Sequence, residues 1–235
     1  MKDQYAGDIN DYRKYGLLRA LAGEGGLSLG VCWMLTGPDG RSDGKHTSYL
    51  SRGPQWRAYD PELFDAMTTV GAAPERSVGA VERSGVLGSA RFWSEIVPDG
   101  AAARGRYFAG VAEWAAGVDV VFFDPDNGLE VPSTGPGRRG SGKYLLWNEA
   151  EETFRRGHSL LIYQHFPRRE RAGFIADLAT RLAERTQARA VAALVTAHVV
   201  FFLVMQTAHE ERCVRALDAV SRRWGEQIRV ERCTR

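Results

Sequence analysis

The chain has 235 residues, with 31 Lys and Arg against 29 Asp and Glu, and its apolar share is 44%. That length buries a full core. The near balance of charge excludes a protein that coats DNA by overall basicity, while a local basic patch remains compatible with it. The longest apolar run, 199–205, falls far short of the roughly 18 residues of a membrane span. The start, Met1-Lys2-Asp3-Gln4-Tyr5, lacks the apolar segment of a signal peptide. A cytoplasmic protein of one domain, with no membrane partner, is expected. Three cysteines, Cys32, Cys213 and Cys233, stand far apart and form no CxxC pair, so neither a zinc site nor a disulfide framework is indicated.

The elements follow in chain order. Asp8, Asn10 and Asp11 offer capping groups, and Tyr12, Tyr15, Leu18 and Leu21 carry a helical period that stops at Gly23, Gly25 and Gly26. Residues 29–35 form a short apolar run bounded by glycine and predict a buried strand. Gly37-Pro38-Asp39-Gly40 is a turn signal. Asp60 and Pro61 open a helix to Val70. A helix is predicted over 103–116, then an apolar strand over 118–123 and a Gly/Pro/Ser-rich loop over 124–142. Further on come a helix over 143–156, a strand over 159–163 and a helix over 168–185. Strands over 190–195 and 199–206, a helix over 210–224 and a last strand over 227–231 complete the chain.

Strands alternate with helices, and the strand runs are apolar at every position instead of every second one. Both features predict an α/β fold: three layers around a doubly wound, mostly parallel sheet of Rossmann-like type. Ligands in such sheets bind beyond the carboxyl ends of the strands. That rule directs attention to the residues after Leu35, Phe123 and Tyr163.

Three segments there carry chemistry. Asp124-Pro125-Asp126-Asn127-Gly128-Leu129-Glu130 gathers three carboxylates and an amide directly after a buried strand. Carboxylates this close repel unless a cation sits among them, although Asp-Pro and Asn-Gly also serve as plain turns. Gly7-Asp8-Ile9-Asn10-Asp11-Tyr12-Arg13-Lys14 holds more polar groups than a helix cap needs. Tyr163-Gln164-His165-Phe166-Pro167-Arg168 places an imidazole after another buried strand, where it can move a proton. The loop 135–143, with Arg138, Arg139 and Lys143, is basic but lacks the ending of a phosphate-binding P-loop.

The order of these segments resembles class I S-adenosylmethionine-dependent methyltransferases, most closely the branch that methylates adenine N6 in large-subunit ribosomal RNA. That branch opens with a motif like A-G-N-x-A-D-V-L-K-H, to which Ala6-Gly7-Asp8-Ile9-Asn10-Asp11-Tyr12-Arg13-Lys14-Tyr15 is similar. Its Asp-Pro-Pro-Tyr motif after the fourth strand corresponds to Asp124-Pro125-Asp126-Asn127. Lys143-Tyr144-Leu145-Leu146-Trp147 and Asp99-Gly100 also have counterparts. Two departures stand out: Thr36-Gly37-Pro38-Asp39-Gly40 lacks the acid that opens the family's D-x-x-x-G-x-G loop, and Asp126-Asn127 replace Pro-Tyr.

The resemblance implies S-adenosylmethionine as donor and a nucleotide-containing or nucleic-acid substrate. It assigns the chemistry to Asp124, Asp126, Asn127 and Glu130. The cofactor falls to Gly7, Asp8, Lys14, Thr36, Gly37, Asp39, Gly40 and Asp99. Substrate falls to Asn10, Asp11, Lys143, Tyr144, Gln164, His165 and Arg168. An alternative from another class is a hydrolase, a nuclease or N-glycosidase on the same scaffold. There Asp124, Asp126 and Glu130, with Asp8 or Asp11, would bind a divalent cation that activates water, or a carboxylate would attack a sugar carbon. A third is a binding protein without catalysis.

Overall fold

A strand that is apolar at every residue must be covered on both faces, and the sheet is built that way. The computed structural model describes residues 1–37, 46–73 and 76–234. In chain order the elements are α1 (Ile9–Ala22), β1 (Leu29–Cys32), α2 (Gly53–Arg57), α3 (Pro61–Ala72), α4 (Val78–Arg83), β2 (Arg91–Trp93), α5 (Ala101–Trp114), β3 (Val120–Phe123) and β4 (Gly128–Leu129). They continue with β5 (Tyr144–Leu145), α6 (Trp147–Arg155), β6 (Ser159–His165), α7 (Arg171–Thr186), β7 (Ala190–Val195), β8 (Val199–Met205), α8 (Glu210–Trp224) and β9 (Arg229–Thr234). Among the described residues no helix is long and apolar enough to cross a membrane.

The main sheet has the order β2-β1-β3-β6-β8-β7-β9. The pairs β1–β2, β1–β3 and β3–β6 are parallel, and β8 and β9 run against the other strands. Side chains alternate between two cores. Val120, Phe122 and Leu161 join α1, α3 and α8 on one face. Val121, Phe123, Leu160 and Ile162 join α5, α6 and α7 on the other. The expected doubly wound sheet is thus present, and the strands over 29–32, 120–123 and 159–165 are parallel neighbours as the sequence predicts.

Several boundaries differ. The first strand ends at Cys32 instead of Leu35, because Met34 takes a φ of +46°. Leu35 regains only a single bridge, to Ile96. The helix expected over 143–156 starts at Trp147: Tyr144 and Leu145 are drawn out into β5 by pairing with Gly128 and Leu129. Glu149 then accepts the Leu146 N–H at 2.8 Å and opens α6. The strand expected to end at Tyr163 runs on to His165, where it pairs with Val199 of β8. The edge strand β2 has no counterpart in the sequence reading; three residues with one exposed are too short to show a pattern.

Helices α1 and α8 pack closely because Gly16 faces the ring of Trp224, and a Cβ at position 16 would fall inside that ring's van der Waals surface. Gly16→Ala therefore sets helix propensity against packing. Propensity alone would stabilise by about 1 kcal/mol, whereas overpacking a core contact costs about 1–3 kcal/mol. We expect net destabilisation, read as a lower urea midpoint; an unchanged or higher midpoint would show that the helices separate freely.

Candidate functional site

The chain leaves β1 for β2 on one side and then returns to place β3 on the other. The order of strands reverses between β1 and β3, which is where open α/β sheets leave a crevice at their carboxyl ends. A cleft of ≈ 520 Å³ lies there, with Asp124, Pro125, Asp126 and Asn127 of the β3 exit in its wall. The start of α1 contributes Asp8, Asn10, Asp11 and Lys14, and the exit of β6 contributes Tyr163, His165 and Phe166.

At its base is a sealed charge cluster. The Lys14 ammonium, 1% exposed, lies 2.6 Å from Asp11 Oδ1 and 2.7 Å from Asp124 Oδ2. It also sits over the rings of Tyr15, Trp33 and Phe122 at 5.1, 5.5 and 5.9 Å from their centroids. Asp11 Oδ2 accepts hydrogen bonds from the Gly7 N–H and the Tyr15 hydroxyl. Asp8 caps α1 by accepting from the N–H groups of Asn10 and Asp11. Asp124 is 2% exposed and belongs to the cleft wall.

Three carboxylates thus share one ammonium in a dry place. Burial raises Asp11, and the repulsion of Asp8 and Asp124 adds to it; Lys14 opposes, and the Asp11 carboxyl stands at about 7. Burial raises Asp8 too. Burial by itself would lower Lys14, but Asp11 and Asp124 outweigh it and keep the ammonium charged above the usual lysine range.

Asp126 is held differently. Its Oδ1 is 2.9 Å from the Met1 amine and its Oδ2 accepts from the Thr36 hydroxyl at 2.6 Å. Burial raises this carboxyl, and the Met1 amine, Thr36 and Lys2 more than reverse that, so it stays below the usual range. The Met1 amine also donates to the Met34 and Asp124 carbonyls at 3.2 and 2.9 Å, bridging the exits of β1 and β3.

The bend after Asn127 depends on Gln164. Its Oε1 accepts the Leu129 N–H at 2.8 Å, and its Nε2 donates to the carbonyls of Asn127 and His165. Gly128, at φ +113°, leaves no room for a Cβ over that amide.

The structure brings Asp8, Asn10, Asp11, Lys14, Asp124, Asp126, Asn127, Lys143 and His165 to the cleft wall. Gly7 lies just behind it at φ +84°, and Thr36 reaches it through Asp126. Six expected residues do not reach it. Glu130 accepts the Trp147 N–H at 2.9 Å and fixes the start of α6, so it is not a catalytic acid here. Asp99 accepts the N–H groups of Gly140 and Gly142, both at 2.7 Å, which makes it the clasp of the 135–143 loop and not a cofactor ligand. Those N–H groups, with Ser141, outweigh burial and hold its carboxyl low. Gln164 is a prop under the bend, not a substrate contact. Tyr144 is committed to β5, Gly37 lies with it in a neighbouring open depression, and Arg168 is exposed beyond the rim. Asp39 and Gly40 lie outside the described residues.

Sequence reasoning missed Tyr163, His46 and His198 in the cleft wall. His198 sits in the turn between β7 and β8. Because β7 runs parallel to β6, that turn lies on the same rim, and the strand-end rule applied to Val195 would have found it. The Tyr163 hydroxyl meets His165 Nε2 at 3.2 Å. Desolvation by the cleft walls lowers the His165 imidazole, with Asp124 and Asp126 pulling the other way.

No protein-family model matches the chain, and no curated protein sequence matches it. Among solved structures, human methyltransferase-like protein 13 in complex with SAH is similar at 12% identity and a TM-score of 0.35, over 90% of each chain.

Two tests probe the cluster. Asp11 titrates near about 3.9 in an unfolded chain and at about 7 in the fold. The folded state therefore holds the extra proton between these values. Its contribution to stability is full below the lower value and is lost as pH rises through the upper one. Asp11→Asn should remove that loss, so the stability of the wild type relative to the variant should fall between pH 5 and pH 8 in urea titrations. Parallel pH profiles would contradict the raised carboxyl. Lys14→Met strips the cation from buried carboxylates, and breaking a buried pair costs about 3–5 kcal/mol; a melting temperature within a few degrees of wild type would show that the cluster is hydrated.

Proposed function

We propose that this protein is a methyltransferase that uses S-adenosylmethionine and acts on a nucleotide-containing or nucleic-acid substrate. The observation that carries the reading is Asp124. It follows the carboxyl end of β3, at the reversal of strand order, with Oδ2 fixed by Lys14 and the residue in the cleft wall.

The donor molecule carries an ammonium, a carboxylate, a ribose and a purine. The wall matches that chemistry: Asp8 and Asp126 face cations and hydroxyls, Lys2 and Lys143 face anions, and Tyr5, Tyr163 and Phe166 offer apolar faces. Asn10 Oδ1 is buried with no hydrogen-bond partner, an acceptor that a bound amine or hydroxyl would satisfy. Bound there, the donor supplies an electrophilic methyl group. Asp124 accepts a hydrogen bond from the substrate's amine or hydroxyl and aims its lone pair, a matter of positioning more than of covalent chemistry. His165, lowered toward its neutral form, is placed to take the released proton.

The metal-dependent hydrolase alternative needs Asp124, Asp126 and Glu130, with Asp8 or Asp11, as oxygen ligands. Asp124 Oδ2 and Asp11 Oδ1 converge instead on the Lys14 ammonium, and Asp126 is held by the Met1 amine and Thr36. Glu130 faces away from the cleft onto the Trp147 backbone. Among the described residues no three His, Cys, Asp or Glu side chains form a group that could hold a metal ion.

Calorimetric titration with S-adenosylmethionine should give saturable one-site binding. With labelled donor and a pool of RNA and nucleotides, methyl transfer should fall by about a hundredfold in Asp124→Asn, the scale of losing one oriented electrostatic contact. Folding should survive, since the new carbonyl still accepts from Lys14. Absence of donor binding, or full transfer by the variant, would overturn the reading.

A further inference from the structure

Beside the cleft, between the start of α1 and the segment 48–57, is a second pocket of ≈ 180 Å³. Among the described residues its wall includes Arg13, Arg52, His46, His198, Ser48 and Trp56, and no acidic residue. Arg13 is 6% exposed, and its guanidinium lies 5.7 Å from the centroid of the Trp56 ring. One of its nitrogens, Nη2, donates to Gln227 Oε1 at 2.7 Å. The other two, Nε and Nη1, are buried and donate to nothing. The carboxylate that acts on this guanidinium is Asp8, which is already spent on the cap of α1.

A buried guanidinium with two unpaired donors is costly unless an anion completes it. We infer that this pocket is a phosphate-binding site. Nε and Nη1 of Arg13 lie on opposite edges of the guanidinium, so each offers a single charged N–H to a phosphoryl oxygen, with Nη2 anchored on Gln227. Arg52, the Ser48 hydroxyl and the two imidazoles surround the remaining directions. The volume equals about six waters at about 30 Å³ each, room for one phosphoryl group and not for a nucleoside. His46 and His198 stack at 6.4 Å and line both this pocket and the cleft, so the two cavities meet at that pair. The surroundings are electropositive: burial lowers the His198 imidazole, and Arg13, His46 and Arg171 lower it further. The inference stands on this pocket alone and goes beyond the methyl-transfer reading.

Calorimetric titration of the full chain with inorganic phosphate, a nucleoside 5′-monophosphate and the matching nucleoside tests it. Phosphate should bind saturably, and Arg13→Gln should weaken it by about tenfold or more, the scale of a lost charge-assisted hydrogen bond. Arg52→Ala, on an exposed residue, keeps the test open if the first variant fails to fold and should weaken phosphate several-fold. Tighter binding of the monophosphate than of phosphate or nucleoside alone identifies the ligand as a nucleotide whose remainder enters the cleft. Equal binding of phosphate and monophosphate identifies free phosphate. Absence of saturable binding by any phosphate-bearing probe, or binding undiminished in both variants, overturns the inference. The titrations contain no methyl donor, so failure of donor binding leaves their result intact.

Discussion

Lys14 ties the first helix to the middle of the sheet. Its ammonium is out of water; Asp11 approaches it from the same helix and Asp124 from 110 residues further along the chain. A buried charge of this kind costs several kcal/mol to desolvate. Two carboxylates and three aromatic faces recover much of that, the rings by presenting their negative faces to the cation. The arrangement constrains everything around it. Asp124 cannot swing, so the loop that follows β3 leaves in one direction. Asp11 cannot leave either, because its second oxygen holds the Gly7 N–H and thus the entry into α1. Burial of the same cluster, with the repulsion of Asp8 and Asp124 added and Lys14 opposing, is why Asp11 retains a proton into the neutral range.

The second constraint is the bend at Asn127 and Gly128. A carboxylate-rich stretch after a strand would spread outward if solvent were its only partner. Instead Gln164, from the adjacent strand, donates to one carbonyl of the bend and accepts an N–H just beyond it. The β4–β5 ladder then draws residues 144–145 alongside, and Glu130 pins the next helix. One acid of the stretch lines the cleft on Lys14, one is fixed by Thr36 and the Met1 amine, and one pins the start of α6. The three share a sequence motif but not a chemical role.

The layered fold was legible because its signal is local. Apolar runs such as 120–123 and 159–162 say that both faces are covered, and the spacing between them says that helices intervene. The importance of the β3 exit followed from the general rule for parallel sheets. Roles within the site were less legible. Nothing local distinguishes Glu130 from Asp126, since the difference is the Trp147 N–H seventeen residues on. Asp99 looks like a strand-end acid until its two loop N–H partners, more than forty residues away, are in place. The helix expected from Lys143 failed for a related reason: the ladder with Gly128–Leu129 overrides local propensity, as tertiary pairing does. Arg13 stands out in sequence only as part of a polar helix start, since its particular meaning comes from Trp56, Ser48 and His198.

Under the two proposals, the difference in composition between the cavities orients a ligand. The cleft holds Asp8, Asp11, Asp124 and Asp126 together with the Met1 amine, Lys2, Lys14 and Lys143, so amine- and hydroxyl-bearing groups find acceptors on its acid side. Among the described residues the adjoining pocket holds Arg13 and Arg52 with two imidazoles and no acid. A molecule lying across the His46–His198 pair would therefore settle one way round, with its anionic end toward Arg13 and its amine- or hydroxyl-bearing end toward Asp124. Reversing it would set a phosphoryl group against the acid side, where like charges repel in a site of low dielectric and carry far more weight than in water. Orientation of this kind comes before any chemistry. It decides which atom of the ligand meets Asp124, and it does so with residues of α1 that the sheet itself holds in place through Lys14.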